Sequence, residues 1–178
     1  KFTDSHAIGS VTAAKALAHS SNVCAIKTSM RVGKENFYGT VQKLGFGKST
    51  GIELPAETSG IVRHPDKWNG DSLASMAIGY EIGVSALQMA TAFATIANDG
   101  VRVQPHIIKE IRQSDEKVIS VAKPEKTRVL TSETARDLRT MLRQVVLDGT
   151  GKRAQWSGYT SAGKTGTAWK YDPVLKRV

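Results

Sequence analysis

The stretch from Ser85 to Gly100 leaves little freedom in how it folds. Ser85 with Gln88 three residues on makes a capping box, in which the serine hydroxyl accepts from a first-turn amide while the glutamine reaches back to the serine's own N–H. Leu87, Ala90, Phe93, Ala94 and Ala97 then recur at helical spacing as an apolar face, and Asn98-Asp99-Gly100 ends the run. Such a helix needs a core to pack on, and a hydrophobic share of 40% over 178 residues supplies one.

Around this helix the pattern alternates between helix and strand signals. Val11 to Ala18 is alanine-rich, with Thr12 or Ser10 available to cap it, and runs into the polar knot His19-Ser20-Ser21-Asn22. Further helices are expected over about Val23 to Ser29 and over Glu35 to Leu44, where Phe37, Val41 and Leu44 share a face and Gly45 is the stop. Between Gly45 and Asp71, Gly47, Gly51, Pro55, Gly60, Pro65 and Gly70 interrupt every candidate element and predict a long surface excursion. Val101 to Val103, Ile107 to Ile111 and Lys117 to Val121 are β-rich, the last two joined as a hairpin through Gln113-Ser114-Asp115-Glu116. A final helix begins near Thr131 or Ser132, with Leu138, Met141, Leu142, Val145 and Val146 on one side, and breaks at Asp148-Gly149-Thr150-Gly151. Tyr159 to Trp169 reads as a strand containing two glycines. The class is α+β.

Charge and cysteine content narrow the chemistry. The net charge of +9 favours acidic partners, but lysine and arginine are scattered without interleaved aromatics, so a solvated surface is expected and not a nucleic-acid groove. One cysteine, Cys24, excludes an internal disulfide and reads as a small buried residue. His6, His19, His64 and His106 do not cluster as metal ligands. No apolar run approaches the roughly 18 to 20 residues that span a bilayer, so any membrane anchor or targeting signal is expected outside the segment.

The most informative segment is Ser161-Ala162-Gly163-Lys164-Thr165-Gly166-Thr167-Ala168. Glycine weakens a strand unless something must approach the backbone closely, and Gly166 between two hydroxyl residues would let an extended peptide lie alongside. Lys164 and Thr165 would present a cation and a hydroxyl to that peptide.

Lys164-Thr165-Gly166, followed by Thr167, resembles the Lys-Thr-Gly motif of penicillin-binding proteins and serine β-lactamases. Ser20-Ser21-Asn22, within Ala16 to Val23 and 144 residues earlier (164 − 20), resembles the Ser-x-Asn motif in the expected chain order. Leu44-Gly45-Phe46-Gly47, Thr50-Gly51-Ile52-Glu53-Leu54-Pro55, and Ala77 to Ser85 leading into Leu87-Gln88-Met89-Ala90 are similar to the class B, monofunctional transpeptidase branch. The chain is thus identified as a member of the class B penicillin-binding proteins, over nearly its whole length.

The resemblance implies a β-lactamase/transpeptidase-like fold: an antiparallel sheet with flanking helices and a helical subdomain, cut at both ends. All of 1–178 would be part of one domain, helical over roughly 1–150, with the catalytic sheet starting in 159–178. It implies a serine-type peptidoglycan D,D-transpeptidase, acylated also by penicillin, with Ser20, Asn22 and Lys164 catalytic and Thr165, Gly166 and Thr167 binding substrate. Tyr80 and Glu81 would buttress the site. No metal and no cofactor are called for. The implied partners are peptidoglycan stem peptides, β-lactams and wall-synthesis membrane proteins, with no nucleic acid, on the extracytoplasmic side of a bacterial cell membrane.

The family's nucleophile belongs to a Ser-x-x-Lys motif upstream of Ser-x-Asn, at the start of a buried helix. Three tetrads fit it in letters, Ser114 with Lys117, Ser120 with Lys123, and Ser161 with Lys164, and none fits it in setting. The nucleophile is therefore expected before this segment, which would then be inactive alone. A serine β-lactamase or β-lactam sensor, a non-catalytic scaffold of wall synthesis, and a basic binding module are the competing readings.

Overall fold

The chain is seen in a computed structural model that describes residues 2–4 and 6–167. In chain order its helices are α1 (Ala13–Ala18), α2 (Asn22–Val32), α3 (Lys34–Lys43), α4 (Ser72–Ala77), α5 (Ala86–Ala97) and α6 (Ser132–Leu147). Its strands are β1 (Ile61–Val62), β2 (Ile82–Gly83), β3 (Val101–Val103), β4 (Glu110–Arg112), β5 (Val118–Val121) and β6 (Lys126–Arg128). They pair antiparallel as β1 with β2, β3 with β6 and β4 with β5 among the described residues. No described helix is long and apolar enough to cross a membrane.

The chain divides into two compact units. One comprises Lys1–Arg31, Gly70–Tyr80 and everything from Thr140 on; the other comprises Val32–Asn69 and Glu81–Arg139.

In the first unit, α1 is capped by Thr12, whose hydroxyl accepts from the Lys15 amide at 3.3 Å, one of the two caps the sequence offers. The helix ends in a Schellman motif. The Ser21 amide donates to the Ala16 carbonyl at 2.9 Å and the Ser20 amide to the Leu17 carbonyl at 3.1 Å, which places Ser20 at the left-handed position with φ 56°. Ser21 then opens α2: its buried hydroxyl accepts from the Cys24 amide at 3.0 Å and donates to Asp4 Oδ2 at 2.6 Å, while Asp4 Oδ1 takes the Val23 amide at 3.0 Å. The Ser21 hydroxyl, followed by the Val23 and Asn22 amides, holds the Asp4 carboxyl below its ordinary value, against burial that raises it. Ala18, Ala74, Met76, Leu142, Val145 and Val146 are the buried apolar residues here, Leu142, Val145 and Val146 coming from the expected α6 face.

In the second unit, Val41, Phe46 and Ala92 form a core against Phe37, Leu44, Val62, Ile82 and Val84. The capping box of α5 is present in full: the Gln88 amide donates to Ser85 Oγ at 3.1 Å and the Ser85 amide to Gln88 Oε1 at 2.8 Å. The buried face of α5 differs from the apolar one expected. Gln88, Thr91, Ala92 and Thr95 are buried, whereas Phe93, Ala90, Ala94 and Ala97 are exposed. Thr91 and Thr95 satisfy their hydroxyls on carbonyls one turn back, Leu87 and Thr91, each at 2.8 Å, and so bury without an unpaired polar group.

The punctuated stretch from Gly45 to Asp71 is an excursion tied down at several points. Gln88 Nε2 donates to the carbonyls of Lys48 at 2.7 Å and Ser59 at 2.9 Å, and the Glu57 carboxylate takes the amides of Thr50 at 2.8 Å and Gly51 at 3.1 Å. A Cβ at Gly60 would run into the Gly83 carbonyl oxygen, so β1 can approach β2 only with glycine there. The predicted hairpin forms as β4 and β5, but it starts at Glu110 rather than Ile107, because the Ile107 amide is taken by Glu53 Oε2 at 3.0 Å. Of the strand expected over Tyr159 to Trp169, the part up to Thr167 pairs with no other strand among the described residues, and Ala168 and Trp169 lie outside them.

Candidate active site

Three segments of the first unit, far apart in sequence, meet at one cluster of hydroxyls and a cation. The turn after α1 brings Ser20, the loop after α6 brings Thr150, and the chain beyond Ser161 brings Lys164 and Thr165. Lys164 Nζ donates to Ser20 Oγ at 2.5 Å across 144 residues, and also to the Thr165 carbonyl at 3.0 Å. Thr165 Oγ1 lies 3.5 Å from the same nitrogen. Thr150 Oγ1 lies 3.2 Å from Ser20 Oγ and 2.6 Å from Thr165 Oγ1.

Local chemistry explains each position. A serine in left-handed conformation costs about 1 kcal/mol or more relative to glycine. The loop at 148–151 comes close to this turn because Gly149 has no side chain: a Cβ there would clash with the Ala18 carbonyl oxygen. The Thr150 amide then donates to that same carbonyl at 3.1 Å. On the other side, the Gly163 amide donates to the Leu142 carbonyl of α6 at 3.2 Å, which anchors the chain just before Lys164.

Lys164 is half-buried, and burial pushes its pKa below the ordinary lysine value. The oxygens it bonds, Ser20 Oγ and the Thr165 carbonyl, are neutral. A partly desolvated ammonium held by neutral acceptors favours an anion as its next neighbour. Ser20, Thr165, Gly166 and Thr167 are exposed. Asn22 is exposed too, on the first turn of α2, two residues from Ser20. A Cβ at Gly166 would meet no described heavy atom within 4 Å, so packing within the described chain does not itself demand glycine there.

Of the residues expected to act together, the structure joins Ser20, Lys164 and Thr165 directly. Thr150, which joins two of them, belongs to neither motif and lies in the loop that ends α6. Glu81, expected to buttress the site, belongs to the second unit and is engaged by Arg63 there. None of the three Ser-x-x-Lys tetrads lies on a helix: Ser114 is in the β4–β5 turn, Ser120 is on β5, and Ser161 donates to the Ala154 carbonyl at 2.8 Å.

The cluster thus joins Ser20 of one candidate motif to Lys164 and Thr165 of the other, and comparison with known proteins shows the family to which the chain belongs. Residues 2–177 match the family described as the penicillin binding protein transpeptidase domain. The chain is 42% identical over 176 residues to penicillin-binding protein PbpB of Mycolicibacterium smegmatis, covering 95% of this chain and 27% of that protein. It is 33% identical to stage V sporulation protein D of Bacillus subtilis, covering 91% of this chain and 25% of that one. Among solved structures, penicillin binding protein 3 of Mycobacterium tuberculosis complexed with aztreonam superposes with a TM-score of 0.87 at 39% identity, covering 93% of this chain and 39% of that one. The apo transpeptidase domain of Burkholderia pseudomallei penicillin-binding protein 3 gives 0.83 at 32% identity, covering 94% and 49%.

The chain belongs to the penicillin-binding protein transpeptidase family, in its class B branch, and has that family's α+β fold. It spans about a quarter of the length of the curated relatives it matches, 27% in PbpB.

Proposed function

We propose that this chain is the part of a serine-type peptidoglycan D,D-transpeptidase that carries two of its three motifs, with the nucleophilic serine supplied from elsewhere in the parent protein. The observation that carries the reading is the 2.5 Å contact from Lys164 Nζ to Ser20 Oγ, with the Thr165 hydroxyl beside it.

In the reaction, the nucleophile's hydroxyl oxygen attacks the carbonyl of a D-Ala-D-Ala stem peptide, and the terminal D-Ala leaves with a proton, giving an acyl-enzyme. The amine of a second stem then attacks the ester, forms the cross-link and returns the proton to the serine. Ser20 passes a proton to the leaving nitrogen, a role supported by the hydrogen bond that its oxygen accepts from Lys164. Asn22 offers a side-chain amide to the substrate's amide carbonyl. Lys164 supplies positive potential for the substrate carboxylate, and Thr165 and Thr167 donate hydroxyls to it. Gly166 leaves the backbone open to an extended peptide. β-Lactams would acylate the same nucleophile, in keeping with relatives solved with aztreonam and ampicillin. Stem peptides and wall-synthesis membrane proteins are the partners, and the setting is the extracytoplasmic side of the bacterial cell membrane.

Fluorescent penicillin applied to the full-length protein and to this segment tests the reading. Stable covalent labelling of the full-length protein and none of the segment is expected. Labelling of the segment would put the nucleophile within it. Rapid release of label from the full-length protein would favour a β-lactamase, and no labelling of it a scaffold.

A further inference from the structure

We propose that Thr150 is a positioning residue for the acyl-transfer site, its hydroxyl joining Ser20 Oγ to Thr165 Oγ1 so that the two substrate-facing hydroxyls share one hydrogen-bond direction. The inference rests on the reading of this cluster as a penicillin-binding site and adds a residue that neither sequence motif contains.

The geometry is specific to this residue. Thr150 Oγ1 is 3.2 Å from Ser20 Oγ and 2.6 Å from Thr165 Oγ1, and those two oxygens lie on segments separated by more than the length of any one element. Its backbone is fixed independently, through its amide on the Ala18 carbonyl at 3.1 Å, and its neighbour Gly149 can have no side chain without striking that carbonyl. β-Branching restricts the rotamers of Thr150, so a pinned backbone also restricts where its hydroxyl lies.

Donor and acceptor capacity then orders the chain of hydroxyls. An ammonium only donates, so Ser20 Oγ accepts from Lys164, and its single proton is left to give. Given to Thr150, it commits the Thr150 proton to Thr165 Oγ1, and the Thr165 proton is left to point outward. A bound carboxylate would accept that proton. When a substrate instead needs the Ser20 proton, Thr150 can turn its own hydroxyl and donate back to Ser20 Oγ, which keeps that oxygen in place during transfer. Thr150 acts through its two neighbours, Ser20 and Thr165.

The test uses the full-length protein and the second-order rate of acylation by fluorescent penicillin across pH. Thr150→Val keeps the shape and removes the hydroxyl, and is expected to slow acylation about tenfold, the usual worth of one hydrogen bond in an active site. Thr150→Ser keeps the hydroxyl and is expected to stay within about twofold of the parent, with an unchanged pH profile. The profile of Thr150→Val should change shape on its alkaline side, where Lys164 loses its proton, which loss of loop packing alone would not do. Thr150→Ala serves as a second hydroxyl-free variant should the valine not fold. Equal rates for all three variants and the parent would overturn the proposal, as would a serine variant as slow as the valine one. A parent protein that penicillin does not acylate would instead overturn the reading of the whole site.

Discussion

Gln88 and Lys164 are both polar residues that tie together segments distant in sequence, and they do it in opposite environments. Gln88 is 1% exposed, and both of its side-chain donors and its carbonyl oxygen are used, on Lys48, Ser59 and Ser85. Nothing is left over for a ligand, and the low dielectric around it makes every one of those bonds expensive to lose. Lys164 is half-buried among exposed hydroxyls, and its partners Ser20 and Thr165 retain capacity on their outer sides. A saturated buried junction holds a fold. An exposed, partly desolvated junction in the same chain is a place where a ligand completes the bonding.

The largest effect that would break this contrast is at Lys164. Lys164→Ala in the full-length protein is expected to lower the rate of penicillin acylation by about 10² to 10⁴, the range for loss of a positioned proton-transfer or charge-stabilising group. Its thermal midpoint should not fall. Because burial lowers the lysine's folded pKa, the charged form is disfavoured in the native state at every pH below that value. This penalty is relieved as pH rises from the folded pKa toward the unfolded one. Ligand binding has the reverse dependence: an anion prefers the ammonium, so carboxylate affinity should fall as pH rises through the folded pKa. A midpoint that drops with the lysine would show it to be a structural residue like Gln88.

Ser20→Gly separates the two roles within one residue. Glycine suits the left-handed position at φ 56°, so a gain of about 0.5–1 kcal/mol in stability is expected, together with an acylation rate lower by about a hundredfold. Loss of both together would contradict the assignment of Ser20 to the site. Gln88→Leu should behave as the mirror image. Two carbonyls and a helix-start amide lose their partner, at about 2–3 kcal/mol in denaturant unfolding, while acylation well below the midpoint stays within about twofold. The smallest effect is at Asp4. Asp4→Asn weakens the start of α2 by about 1 kcal/mol at neutral pH. Since its folded pKa is depressed, the wild-type advantage should be full above the ordinary carboxylate pKa and vanish as pH falls through the folded one.

Where local chemistry decides the outcome, the sequence was readable. The Ser85–Gln88 box, the Thr12 cap, the start of α6 at Thr131, whose hydroxyl takes the Thr134 amide at 3.1 Å, and the buried face of α6 all follow from residues within a few positions of one another. The buried face of α5 was not legible, because hydrophobic periodicity weighs Thr91 and Thr95 as polar, although hydroxyls bonded to their own helix bury as easily as small apolar groups. The partner of β3 was not legible either: β6 lies more than twenty residues on, and its Lys-Thr-Arg composition carries little strand signal.

The site divided the same way. Ser20, Asn22, Lys164 and Thr165 could be singled out by motif, and the structure brings Ser20 and Lys164 to 2.5 Å. Thr150 was hidden because a threonine between two glycines looks like any loop. Its importance lies in the close approach that Gly149 permits and in two oxygens contributed by distant segments.

The structure of the full-length protein acylated by a β-lactam would test the central claim most directly. The antibiotic's carboxylate is expected within hydrogen-bonding distance of Thr165 Oγ1 and beside the Lys164 ammonium, with Ser20 Oγ facing the acylated serine. A covalent adduct formed elsewhere, with Ser20 and Lys164 untouched, would contradict it.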